Sequence, residues 1–113
     1  MGESTAAVTN STQRHRFEMS VDGALAGFAD YRDHGKRRAF THTEIDPAYE
    51  GQGLGSRLVR HVLDDARANG FEVLPYCPFV RAFIAGHMDD YGDLVPLDKR
   101  ASFDLPSHPP YVG

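Results

Sequence analysis

The run Glu50-Gly51-Gln52-Gly53-Leu54-Gly55-Ser56 is the segment of this chain best equipped for chemistry. Glycine at alternate positions leaves the backbone bare, so a ligand can approach the N–H groups with no side chain in the way. A helical pattern starts here, so the amides of Gly51, Gln52, Gly53, Leu54 and Gly55 can converge on one concavity at the positive end of a helix dipole. Such a concavity stabilises a phosphate or a diphosphate. The bland alternative is a glycine-rich loop with no ligand, and the position directly ahead of an amphipathic helix weighs against it. Spacing excludes two phosphate motifs. A P-loop requires Gly-Lys-Ser/Thr, and no lysine follows here. A dinucleotide fingerprint is G-x-G-x-x-G after the first strand of a parallel sheet, whereas this run is G-x-G-x-G after antiparallel strands.

The elements that must position this run follow from periodicity. Residues 16–21 alternate around Phe17, Met19 and Val21, and Asp22-Gly23 supplies a tight turn. Residues 24–32 carry Leu25, Phe28 and Tyr31, and Asp33-His34-Gly35 turns the chain again. Residues 38–46 alternate with Ala39, Thr41, Thr43 and Ile45 on one side and Phe40, His42, Glu44 and Asp46 on the other. Short turns between three strands predict an antiparallel meander. The period then changes: Leu54, Leu58, Val59, Val62, Leu63 and Ala66 share one helical face, and Asn69-Gly70 stops the helix. Residues 71–76 read as a fourth strand, parallel to the third across the helical crossover, with Pro75 limiting its pairing. A last helix is expected over 79–91.

The chain has 113 residues, 41% of them hydrophobic and 25% charged, so it is globular and holds one domain at most. The expected division is a disordered segment 1–13, a domain 14–95 and a proline-bearing tail 96–113 without a core of its own. A net charge of −4 speaks against nucleic acid as the main partner. One cysteine rules out an internal disulfide and fits a reducing compartment. No secretory signal, myristoylation pattern or membrane span is read, so the expected location is cytoplasmic. The six histidines and Cys77 show no metal-ligand spacing, and no metal is expected. Lys36-Arg37-Arg38 reads as a solvated basic turn, and Asp89, Asp90 and Asp93 as surface charges.

Taken together, Thr41-His42-Thr43-Glu44, residues 49–58 and Tyr76-Cys77-Pro78-Phe79-Val80 resemble the GNAT N-acetyltransferase superfamily, and in particular its short, truncated branch. The resemblance runs over residues 17–95. It implies a mixed α/β fold, an antiparallel meander followed by a β-α-β crossover and a C-terminal helix. The implied cosubstrate is acetyl-coenzyme A, its diphosphate held by Glu50, Gly51, Gln52, Gly53, Leu54, Gly55 and Ser56. Glu50 departs from the Arg or Gln usual at the first position, which bears on coenzyme affinity. Ile45, Asp46 and Phe79 complete the implied cosubstrate site, a backbone N–H near Ile45 or Asp46 polarising the thioester carbonyl.

By the same resemblance Cys77 is a candidate catalytic residue with His42 as its partner. Cys77 precedes Pro78 and a helix start, where the dipole favours a thiolate. The competing view is a small buried hydrophobe. His42 suits general-base chemistry near neutrality, and Glu44, two residues on, is a rival base. The expected reaction is acetyl transfer to the amine of a small molecule or a protein, by a monomer or a homodimer. The alternative is a non-catalytic module that binds acetyl-coenzyme A or a protein partner, which Glu50 favours.

Overall fold

A computed structural model of the protein describes residues 5–106. Five strands form one sheet in the order β1-β2-β3-β4-β5: β1 (Ala6–Ser11), β2 (Arg16–Val21), β3 (Ala24–His34), β4 (Arg37–Ile45) and β5 (Glu72–Pro75). The first four run antiparallel, and β5 pairs parallel to β4. The helices are α1 (Leu54–Ala68), α2 (Pro78–Ala85), α3 (Met88–Tyr91) and α4 (Leu97–Arg100). The meander and the crossover follow the expected order. Among the described residues no helix is long and apolar enough to cross a membrane.

Strand β1 differs from the expectation of a disordered start. Its residues are small and polar, a weak local signal, but Ala6 and Val8 pack against the core and Asn10 Oδ1 accepts the Tyr31 hydroxyl at 2.7 Å. Tertiary contact, which a local pattern does not reveal, makes this strand. The expected helix over 79–91 is broken as well: α2 ends at Ala85, with Gly86 as its C-cap, and α3 restarts after His87. The tail is partly structured, because α4 and the turn after it bring Phe103 and Leu105 into the core, Phe103 edge-on against Tyr76. Residues 107–113, including His108, Pro109 and Pro110, lie outside the described residues, as do residues 1–4.

Helix α1 lays Leu58, Val59, Val62, Leu63 and Ala66, all fully buried, over one face of the sheet. Each large apolar side chain removed from water contributes roughly 1.5–3 kcal/mol. The sheet side of this layer is built from Phe17, Tyr31 and Phe40, whose rings meet at 5.4 and 6.3 Å centroid separation. Arg38 also belongs here, not to a solvated turn. It is 6% exposed, bonds Asp33 at 2.7 and 2.9 Å and Asp65 at 3.4 Å, and lies 4.2 and 4.1 Å from the Tyr31 and Phe71 rings. Burial alone would push the guanidinium down, but the bonds to Asp33 and the charges of Asp33 and Asp65 hold it above its ordinary value. Arg38 thus ties β3, β4 and α1 together at one end of the sheet.

Two bulges decide which side chains share a face. In β4, Phe40 pairs with Tyr31 and His42 with Asp30, so Thr41 is an extra residue. Phe40 therefore turns toward α1, while His42 and Glu44 turn to the opposite face. The simple alternation that grouped Phe40 with His42 fails at this point. In β3, Ala26 is extra, since Met19 pairs with Gly27 and Ser20 with Leu25.

Candidate functional site

Strands β4 and β5 part where the site begins. Their register runs from Arg37 and Glu72 to Phe40 and Pro75 and goes no further. The Cys77 N–H closes the last rung on the Phe40 carbonyl at 2.8 Å. Beyond it the chain turns into α2, whose first turn carries Phe79, and β4 continues to Ile45 paired with β3 but no longer with β5. The result is a V-shaped opening with Cys77 at its crotch. Backbone N–H groups alternate in direction along a strand. The Asp46 N–H donates to the Ala26 carbonyl of β3 at 2.8 Å, so the Ile45 N–H points to the side that β5 has vacated. The Asp46 carboxylate accepts from the Ala48 N–H at 2.9 Å and shapes the turn that follows.

The glycine run lies at the far lip of this opening. Gly51 and Gly53 have φ of +84° and +73°, a left-handed conformation that costs any side-chain-bearing residue energy. Gly53 is the N-cap of α1, no side chain caps this end, and its first turn carries no acidic residue. The first intrahelical bond runs from the Arg57 N–H to the Gly53 carbonyl at 3.2 Å, which leaves the amides of Leu54, Gly55 and Ser56 without a helical acceptor. Gly55 is needed for another reason: a Cβ there would fall 2.8 Å from Phe79 Cζ. The Phe79 ring, 43% exposed, lies across the start of α1. Bare backbone, amides without a helical acceptor and a dipole of the right sign together suit an anionic group. The Glu50 side chain, exposed at the edge of the run, carries a charge of the wrong sign.

The three candidate chemical residues do not form one cluster. Cys77 is 3% exposed, and among the described residues its side chain has one hydrogen-bond partner, Thr43 Oγ1 at 3.4 Å. Thr43 pairs with the fully buried Ala29, on the α1 side of the sheet. His42 lies on the other side. Its Nε2 is 2.8 Å from Glu44 Oε1, and its ring sits 5.9 Å from that of Phe28. The expected partnership of Cys77 with His42 is therefore replaced by two pairs, Cys77–Thr43 inside the V and His42–Glu44 on the open face.

That open face carries residues that the sequence alone did not single out. Phe28 pairs with Glu44, and the Arg16 guanidinium lies 4.6 Å above its ring. Arg16 Nε also donates to Glu18 at 2.8 Å, and this bond, with help from Arg14, holds the Glu18 carboxyl below its ordinary value. Only the cross-strand register identifies Phe28 and Arg16 as neighbours of His42 and Glu44. Among the described residues no three His, Cys, Asp or Glu side chains gather to hold a metal ion.

Comparison with known proteins agrees with this fold. The chain is 35% identical over 71 residues to streptothricin acetyltransferase of Streptomyces lavendulae, covering 61% of this chain and 38% of that protein. It is 39% identical over 61 residues to the N-alpha-acetyltransferase RimI of Mycobacterium tuberculosis, covering 50% of this chain and 39% of that one. The chain thus spans about two fifths of the length of these curated relatives. In fold it is similar to a GCN5-like protein of Staphylococcus aureus, at a TM-score of 0.61 and 21% identity, covering 80% of this chain and 87% of that one. It is also similar to the ribosomal-protein-S18-alanine N-acetyltransferase of Escherichia coli, at a TM-score of 0.53 and 20% identity, covering 63% and 64% of the two chains. The model of the GCN5-related N-acetyl-transferase family matches residues 16–94, well over half of the sequence, and the chain belongs to that family.

Proposed function

We propose that this protein transfers the acetyl group of acetyl-coenzyme A to a primary amine. The observation that carries the reading is the parting of β4 from β5 directly beside an uncapped, glycine-lined helix start. Family membership and the names of the matched relatives support it. In this reading the amides of residues 51–56 hold the diphosphate, and Phe79 flanks it. Acetyl-coenzyme A supplies a thioester, whose carbonyl the outward Ile45 N–H polarises.

The His42–Glu44 pair serves as the base. With Nε2–H donated to the Glu44 carboxylate, the imidazole keeps Nδ1 free to accept a proton. The amine nitrogen attacks the thioester carbonyl carbon, its proton passes to His42 Nδ1, the C–S bond breaks and coenzyme A leaves as a thiolate. Cys77 stands on the other side of β4, buried against a neutral hydroxyl, and we assign it to holding the crotch of the V.

The test measures coenzyme A release with a panel of primary amines, alongside His42→Ala and Glu44→Gln. The expected loss for His42→Ala is about a hundredfold in kcat, within the usual range for a general base. The coenzyme-induced rise in melting temperature should persist in both variants. A second reading, a binding module without turnover, is favoured by the Glu50 carboxylate at the cradle edge. Coenzyme binding with no acetylated amine would establish it instead.

A further inference from the structure

A cavity opens on the uncovered face of the sheet, between the start of β3 and the end of β4, lined by Leu25, Phe28, Glu44, Asp46 and Pro47 among others. The bulge at Ala26 lies in its wall. Leu25 and Phe28 are three residues apart, yet they pair with Ser20 and Glu18, which share a face of β2. Both side chains therefore stand on the open face. Leu25 is 49% exposed, so this large apolar residue makes little contribution to the core. Phe28 pairs directly with Glu44, and its ring adjoins His42. Apolar walls thus lie next to the carboxylate of the proposed base pair.

The two acids of the cavity each commit one oxygen internally, Glu44 Oε1 to His42 and Asp46 Oδ1 to the Ala48 N–H. A protonated amine finds negative charge at this end and apolar surface at the other, and releases one proton to solvent before its nitrogen attacks. A hydroxyl or a second ammonium group would gain nothing from Leu25, Phe28 and Pro47 and would lose its water. We propose that this cavity is the acceptor subsite and that it selects primary amines bearing an aromatic or branched apolar group. The assignment rests on the acetyl-transfer reading above and adds the acceptor class to it.

The experiment compares 2-phenylethylamine with ethanolamine as acceptors for the full chain, and repeats the comparison with Leu25→Asn. The expected preference in kcat/KM is at least about tenfold for the aryl amine, the usual worth of a filled apolar pocket. Leu25→Asn should cut the preference several-fold and leave the KM for acetyl-coenzyme A unchanged. In parallel, the Leu25 methyl resonances are followed while 2-phenylethylamine is added to the coenzyme A-bound protein, and they should shift. Coenzyme A release with equal preference and unmoved methyl signals overturns the subsite and leaves acetyl transfer standing. Shifted methyl signals without any coenzyme A release leave an amine-binding cavity but overturn acetyl transfer, and with it the acceptor role. Unmoved signals and no release overturn both.

Discussion

Cys77 Sγ donates to Thr43 Oγ1 at 3.4 Å, inside the V and on the side of β4 away from His42. A nucleophilic cysteine needs a base, a cation or a helix N-terminus to form its thiolate; Cys77 does cap the short α2, but it is buried and its side chain meets a neutral threonine hydroxyl. Cys77→Ala is therefore expected to keep amine acetylation within about tenfold of wild type, the range of a supporting rather than a reacting group. Intact mass after incubation with acetyl-coenzyme A should show no added acetyl group. An acetyl adduct lost in Cys77→Ala would instead assign a covalent carrier.

Glu50 places an exposed carboxylate beside the backbone proposed to hold a diphosphate. Glu50→Arg exchanges repulsion for attraction and should tighten coenzyme A binding by roughly tenfold at low ionic strength. Calorimetric titration at rising salt checks this, because screening should erase most of the gain. An affinity unchanged at every salt concentration would place the diphosphate elsewhere.

Arg38 is buried, but its partners Asp33 and Asp65 are about one-third exposed at the side chain. Removing the guanidinium strands two carboxylates that water can partly rescue. Arg38→Met is expected to lower stability by about 2–3 kcal/mol, less than for a fully buried pair. Arg38→Lys should restore only part of this, since a lysine cannot form the two-pronged bond to Asp33 or lie flat between Tyr31 and Phe71. Denaturant unfolding of the three proteins measures the differences.

Two carboxylates contribute to the acid limit of the fold. The bond from Arg67 holds Asp93 below its ordinary 3.8, and that from Arg16 holds Glu18 below its ordinary 4.5. A lowered carboxyl contributes stability above its unfolded pKa and loses it as the pH falls through the folded one. Stability should therefore decline below about pH 4.5, by no more than about 1 kcal/mol for each of these exposed pairs. Arg67→Ala should remove the Asp93 share and flatten that part of the profile, as measured by melting temperature against pH.

The helical stripe from Leu54 to Ala66 and the strand alternation at Phe17, Met19 and Val21 were legible because each element obeys its own period. The glycine run was legible because its chemistry is in the backbone. The positions of His42 and Phe28 were not, because each bulge inserts one residue and reverses the faces beyond it, and neither Thr41 nor Ala26 carries a local mark. Arg38 looked like one charge of a basic turn, since its neighbours Asp33, Asp65 and Phe71 come from distant segments. Strand β1 was hidden by small polar residues, which become a strand only when β2 offers its edge.

The central claim is that the backbone between Glu50 and Arg57 holds a diphosphate and that Ile45 faces the same opening. Amide chemical shifts of the isotope-labelled protein during coenzyme A addition test it most directly. The predicted result is saturable movement of the amides of Gly51, Gly53, Leu54, Gly55 and Ser56, joined by Ile45 when an acetylated, non-transferable analogue replaces coenzyme A. Stationary amides across this segment, with shifts confined to another part of the molecule, would contradict it.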